Sequence, residues 1–156
     1  MPSLVYRRKY FVYLVFQILT PQLVTFNGSS FDLPVLRYRA MVHGLAAPGL
    51  AARPYFHRYT DDAVDLCDVL SSFSSQAKAT LHELCRVMGL PGKPDGITGA
   101  EVEKHYRDGH IREIAEYCES DVLNTYRVWL RHELFSGRLP EAVSYTHLTL
   151  PTICSV

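Results

Sequence analysis

The sequence predicts an α/β domain, rich in helix and built on a small parallel sheet. Three observations carry that expectation. Two short apolar runs with β-prone residues, Leu23-Val24-Thr25-Phe26 and Ala63 to Leu70, flank a stretch whose apolar residues recur at helical spacing. A strand, a helix and a second strand in that order make a parallel pair. The longest uninterrupted stretch, His110 to about Phe135, contains no Pro or Gly and repeats apolar residues every three or four positions.

Taken in order, the elements follow from local chemistry. Arg7-Arg8-Lys9 precedes an apolar run from Tyr10 to Leu19 that is too short to span a bilayer. Thr20-Pro21-Gln22 lacks the small residues of a signal-peptidase site. The β-branched and aromatic content favours a strand here, but connection to a following parallel strand favours a helix, which is the expectation, with secretion or a membrane anchor as the weaker alternative. Strand Leu23–Phe26 runs into Asn27-Gly28, then into a helix opening near Asp32 and ending at His43-Gly44. Asn-Gly also signals a hairpin, but Leu33 to Val42 shows no strand-like alternation. Residues 45–60, with Pro48 and Pro54, are expected to be a loop, and Ala63–Leu70 a second strand beside the first. Asp65 and Asp68 lie in that run. One is expected at the surface and the other against a loop, and either could face a cleft.

Thr80 with Glu83 forms a capping box for a helix that Gly89 stops. His82 and Cys85, one turn apart, could ligate a metal, but core packing is the expected role. Gly89 to Pro94 has a Gly-Lys pair without the spacing of a phosphate loop, so Lys93 is expected on a turn, with or without a phosphate to meet. A short helix near residues 99–107 follows. On the long helix, Ile111, Ile114, Ala115, Cys118, Val122, Tyr126 and Trp129 form an apolar stripe expected to face the core, while Glu116 and Glu119 are expected in solvent.

Composition narrows the function classes. The chain has 156 residues, 47% of them hydrophobic and 21% charged, which suits one core at most. Cys67, Cys85, Cys118 and Cys154 form no Cys-x-x-Cys pair, which points to reduced thiols and a cytoplasmic protein. The zero net charge is a cancellation. Residues 1–60 carry seven Lys/Arg against one acid, and residues 61–121 carry six against thirteen. A basic face beside an acidic cleft suits a protein that handles phosphates and divalent cations, although acids on exposed helix faces give the same counts.

Two short motifs carry the chemistry. Asp32 opens a helix after a strand and a turn, a position that sets a carboxylate at the rim of a sheet but also suits a plain N-cap. Tyr117 and Asp121 are four apart on one helix face, about 6 Å along the axis. A carboxylate there can hold a divalent ion while the phenol orients a water. A half-buried Tyr beside a surface Asp is the alternative.

Phe26-Asn27-Gly28-x-x-Phe31-Asp32-x-Pro34, then Asp65-Leu66, then Tyr117-x-x-x-Asp121, resembles the second and third exonuclease motifs of the tyrosine-type DEDD 3′–5′ exonucleases. Within them the chain is most similar to the predicted 3′–5′ exonucleases related to the proofreading domain of family B DNA polymerases. The resemblance covers about residues 21–141. It implies a ribonuclease H-like fold, two Mg²⁺ (or Mn²⁺) ions, and release of nucleotides from a single-stranded nucleic acid 3′ end, DNA favoured over RNA, with no role for a membrane. It makes Asp32 and Asp121 metal ligands, Tyr117 the residue that orients the attacking water, and Asn27 and Phe31 the residues that shape the site around the terminal nucleotide. The family's first motif, an Asp-x-Glu on the opening strand, has no counterpart, because residues 1–31 contain no Asp or Glu.

The expected organisation is therefore a poorly matching segment at residues 1–20, the C-terminal part of an exonuclease domain at 21–141, and a tail at 142–156. Val143 to Thr152 reads like a translated sequencing adapter, and the chain as a fragment of an assembled sequence whose opening strands are missing. Such a fragment is expected to be inactive alone. A non-catalytic nucleic-acid-binding or partner-docking module that retains the fold is the alternative.

Overall fold

The computed structural model describes residues 22–52, 55, 62–93 and 99–149. The expected helix over Tyr10–Leu19 lies outside them. The chain divides after Asp65 into two compact units.

In the first unit, β1 (Leu23–Thr25) and β2 (Ala63–Asp65) pair in parallel, with Leu23 opposite Ala63, Val24 opposite Val64 and Thr25 opposite Asp65. The Leu23 N–H donates to the Asp62 carbonyl at 2.8 Å and extends the ladder by one bond. Between the strands lie α1 (Asp32–Val42) and α2 (Pro48–Ala52). The hairpin alternative is therefore excluded, since Asn27-Gly28 feeds a helix. The expected loop over 45–60 is corrected at α2, where Pro48 sits at the first helical position and small residues follow. On α1 only Leu33 is buried, and Met41 is 70% exposed. The helix shows an apolar surface that no described element covers.

The second unit is organised on α6 (Ile111–Phe135), against which α3 (Leu66–Leu70), α4 (Leu81–Val87), α5 (Val102–Arg107) and α7 (Glu141–Thr149) pack. The run Ala63–Leu70 is thus strand only as far as Asp65, and its second half is helical. Leu66, Cys67 and Asp68 on α3, Cys85 on α4, Val128 and Leu130 on α6 and Leu90 form the described core. The capping box holds as expected. Thr80 Oγ1 accepts from the Glu83 N–H at 3.2 Å, and Glu83 Oε2 accepts from the Thr80 N–H at 2.8 Å.

Two expectations fail in this unit. Asp68 is neither at the surface nor in a cleft. It is 2% exposed, and Lys78 Nζ lies 2.9 Å from its carboxylate, the pairing that makes a buried charge tolerable. Most of the expected apolar stripe on α6 is also turned away from the core, with Ile114 and Trp129 half-buried. Ile111, Val122 and Tyr126 are exposed, Val122 to 68%, as is Cys118. The inward line runs instead through Ile114, Tyr117, Asp121, Asn124 and Val128. Partner elements rather than apolar letters set that choice, because α3, α4 and the loop after α4 meet α6 on the side where Asn124 can bond a loop carbonyl. No helix among the described residues is long and apolar enough to cross a membrane.

Candidate active site

Of the residues singled out by sequence, Asn27, Phe31, Asp32 and Asp65 belong to the first unit, and Tyr117 and Asp121 to the second. Each group has its own local construction.

In the first unit, the turn from β1 into α1 is wrapped around the carboxylate of Asp65. Oδ1 accepts from the Asn27 N–H at 2.7 Å. Oδ2 accepts from the Ser29 N–H at 2.9 Å and from the Ser29 hydroxyl at 2.6 Å. Charge-assisted bonds of this kind fix a turn more firmly than neutral ones. Asn27 has φ +61°, a conformation that Asn tolerates better than most residues. A Cβ on Gly28 would come within 2.4 Å of the Thr25 Cβ, so no larger residue fits after Asn27. The turn closes with the Phe31 N–H on the Asn27 carbonyl (3.1 Å) and the Leu33 N–H on the Gly28 carbonyl (2.9 Å).

The turn delivers Phe31 as the N-cap of α1, where no side chain caps the helix. Asp32 therefore is not the capping residue that its position also allowed. It lies exposed in the first turn, where its charge suits the positive end of the helix. Phe31 is exposed as well, so the motif presents an aromatic ring and a carboxylate side by side in sequence on a rigid turn. Asp65 meets a loop, as one of the two expectations for it had it.

In the second unit, the loop after α4 is pinned at three points. The Leu90 N–H donates to the Cys85 carbonyl at 2.8 Å, Asn124 Nδ2 donates to the Gly92 carbonyl at 2.7 Å, and the Lys93 N–H donates to His82 Nδ1 at 3.1 Å. Gly92 has φ +70°, and a Cβ there would press on the His82 ring at 3.1 Å. Cys85 thus packs in the core as expected, whereas His82 is exposed and serves instead as a hydrogen-bond acceptor for the loop. Pinned in this way, the loop sets Lys93 Nζ 4.4 Å from the centroid of the Tyr117 ring, within the range of a cation–π contact.

Tyr117 and Asp121 act on each other along their helix face. Burial first, then the charge of Asp121 and its hydrogen-bond acceptance, push the Tyr117 phenol above its ordinary value. The phenol therefore keeps its proton, and its oxygen can both donate and accept. Burial likewise pushes the Cys85 thiol up, against Arg127 and the Gly92 N–H, with Asp121 adding to the rise. That thiol is inert packing under the site. Sequence reasoning left Lys93 undecided and missed Asn124. The signal for Asn124 was its place one turn beyond Asp121, on the line 117, 121, 124.

The described residues of the second unit do not by themselves assemble the donors of a two-ion centre. In the second unit, the ligand-type side chains that converge as a set of three among the described residues are His105, His110 and Glu113, and Asp121 is not among them. An ion pair about 4 Å apart needs several carboxylates to balance its charge.

A family model described as a predicted 3′–5′ exonuclease related to the exonuclease domain of PolB matches residues 8–150. No curated protein and no solved structure matches the chain at a significant level.

Proposed function

The chain belongs to this exonuclease family, and from that premise we propose that its parent activity is metal-dependent hydrolysis of phosphodiester bonds at single-stranded 3′ ends, on DNA in preference to RNA. The observation that carries the reading is the Tyr117–Asp121 pair. A phenol held protonated stands one turn from a carboxylate on the inward face of α6, with the Lys93 ammonium over its ring.

In this reading Tyr117 Oη holds a water by accepting or donating a hydrogen bond, and Asp121 and Asp32 are the carboxylates that would ligate the family's Mg²⁺ or Mn²⁺. Asn27 and Phe31 stand at the turn that carries Asp32, where an exposed ring can stack on a terminal base. Lys93 adds positive charge near the phenol, suited to a phosphodiester oxygen. Two carboxylates are too few for the chemistry, so the chain needs an Asp-x-Glu strand that its own residues do not supply, and alone it is inactive.

The test is release of nucleotides from a 5′-labelled single-stranded oligonucleotide with Mg²⁺ or Mn²⁺. The chain alone is expected to leave the label at full length. With a family Asp-x-Glu strand fused upstream, it is expected to give a ladder shortening from the 3′ end, lost on Asp121→Asn. Efficient metal-dependent digestion by the unfused chain would refute the need for that strand. Fused protein that binds the oligonucleotide equally well with and without Mg²⁺, but never shortens it, would favour a non-catalytic binding module.

A further inference from the structure

Away from the Tyr117–Asp121 pair, three ligand-type side chains converge where α5 turns into α6. His105 lies in the last turn of α5, His110 is the N-cap of α6, and Glu113 is in the first turn of α6. The turn between the helices is short and fixed. Gly109 takes φ +83°, the His110 N–H donates to the His105 carbonyl at 2.8 Å, and the Ile111 N–H donates to the Gly109 carbonyl at 2.9 Å. It brings the two imidazoles to 5.5 Å between centroids. From the geometry we propose that His105, His110 and Glu113 hold one divalent transition-metal ion of the Zn²⁺ type, which staples α5 to α6.

Three observations support the site. Glu113 Oε2 lies 3.1 Å from His105 Nδ1 and 3.5 Å from His110 Nδ1. Ligands at 2.0–2.1 Å from a tetrahedral ion stand about 3.3 Å from each other, and the two measured separations fall on either side of that value. One ligand atom from each of the three residues lies within 4.8 Å of the other two, and a small rotation of the half-exposed His110 ring closes the set.

Second, His105 Nδ1 is buried and lacks a hydrogen bond, although a Glu113 oxygen lies 3.1 Å away. A metal ion satisfies such a nitrogen where a proton does not. Third, the two neighbouring arginines have other partners. Arg107 pairs with Glu103 and Arg112 with Glu116, so the Glu113 carboxylate faces the two imidazoles.

The donor chemistry selects the ion. Two imidazole nitrogens and one carboxylate oxygen suit Zn²⁺ and its transition-metal neighbours, whereas Mg²⁺ prefers an all-oxygen shell. Glu113 and His110 are each 51% exposed, which leaves an entry path and a fourth position for water. The site is independent of the exonuclease reading, since it shares no residue with it.

The test is titration of the chelator-stripped chain with Zn²⁺ in excess Mg²⁺, read by competition with a chromophoric chelator, and with Co²⁺, read by the visible bands of a four-coordinate ion. One ion per chain is expected, with a melting temperature that rises with Zn²⁺. Glu113→Gln and His110→Ala replace half-exposed side chains and should keep the wild-type circular dichroism. Each should weaken Zn²⁺ binding by at least about tenfold, no less than the loss of a supporting outer ligand costs a metal site. Asp32→Asn and Asp121→Asn should leave the affinity unchanged. No Zn²⁺ binding by the wild type, equal affinity in Glu113→Gln and wild type, or a loss on Asp121→Asn as large as that on Glu113→Gln would each overturn the proposal.

Discussion

Asp65→Asn tests how the first motif is held in place. The native carboxylate accepts two backbone N–H groups, one on each oxygen, and the Ser29 hydroxyl as well. An asparagine keeps one carbonyl oxygen for one N–H and turns an amide NH₂, a donor, toward the other. The substitution therefore removes one charge-assisted bond outright and weakens a second. Bonds to a charged group contribute roughly 1.5–3 kcal/mol, and a part-buried N–H left facing a donor adds a desolvation cost. A loss of about 2 kcal/mol is expected, which lowers Tm by about 4–8 °C for a chain of this size.

Ser29→Ala is the matched control. It deletes the hydroxyl bond to Asp65, leaves both N–H groups on the carboxylate, and should cost about 1 kcal/mol or less. Urea unfolding should show a lower midpoint for Asp65→Asn at an unchanged slope. Equal midpoints for Asp65→Asn and Ser29→Ala would mean that the backbone bonds to Asp65 do not hold the turn, and the argument for how Asp32 is presented would fail.

Other consequences are simpler. Thr80→Ala removes the N-cap of α4 and should destabilise by about 1 kcal/mol, read as a Tm shift. Asn124→Ala leaves the Gly92 carbonyl without its donor and a gap against α6, at a cost of about 1–3 kcal/mol. It should also free Lys93 from the Tyr117 ring, seen as a change in that ring's chemical shifts.

In a spectrum of ¹³C-labelled tyrosines, the signal removed by Tyr117→Phe should titrate above the ordinary phenol range. Asp121→Asn should bring it part of the way down, because burial remains the larger cause. The sign for stability follows. Above pH of about 10 the unfolded phenol loses its proton before the folded one, so this group's contribution falls as pH rises until the folded phenol also ionises.

The parts of the fold that were legible in the sequence are those whose cause is local. The capping box of Thr80 and Glu83 spans three residues, the stop at Gly89 is one residue's backbone freedom, and the α6 boundaries follow from an unbroken run without Pro or Gly. The parallel pairing followed from a helix between two apolar runs. What was illegible depends on partners distant in sequence. The Asp65 carboxylate is spent on Asn27 and Ser29, 38 and 36 residues away. Asp68 is buried with Lys78, ten residues on, paired to its carboxylate. The inward face of α6 was misassigned because apolar letters were counted without the elements that pack on it, and the true face carries Tyr117, Asp121 and Asn124. The candidate site was legible as motifs within each unit. Lys93 was not, since its place over Tyr117 depends on three hydrogen bonds that pin its loop.

The most direct measurement is Mn²⁺ titration of the completed, isotope-labelled protein, with paramagnetic broadening read at the amides of Gly28–Leu33 and of the Tyr117–Asp121 turn of α6. The account predicts that both sets broaden at the same Mn²⁺ concentration, and that Asp121→Asn weakens the effect at both. Broadening confined to one set, or persistence at the Gly28–Leu33 amides after Asp121→Asn, would contradict the exonuclease chemistry proposed for Asp32 and Asp121.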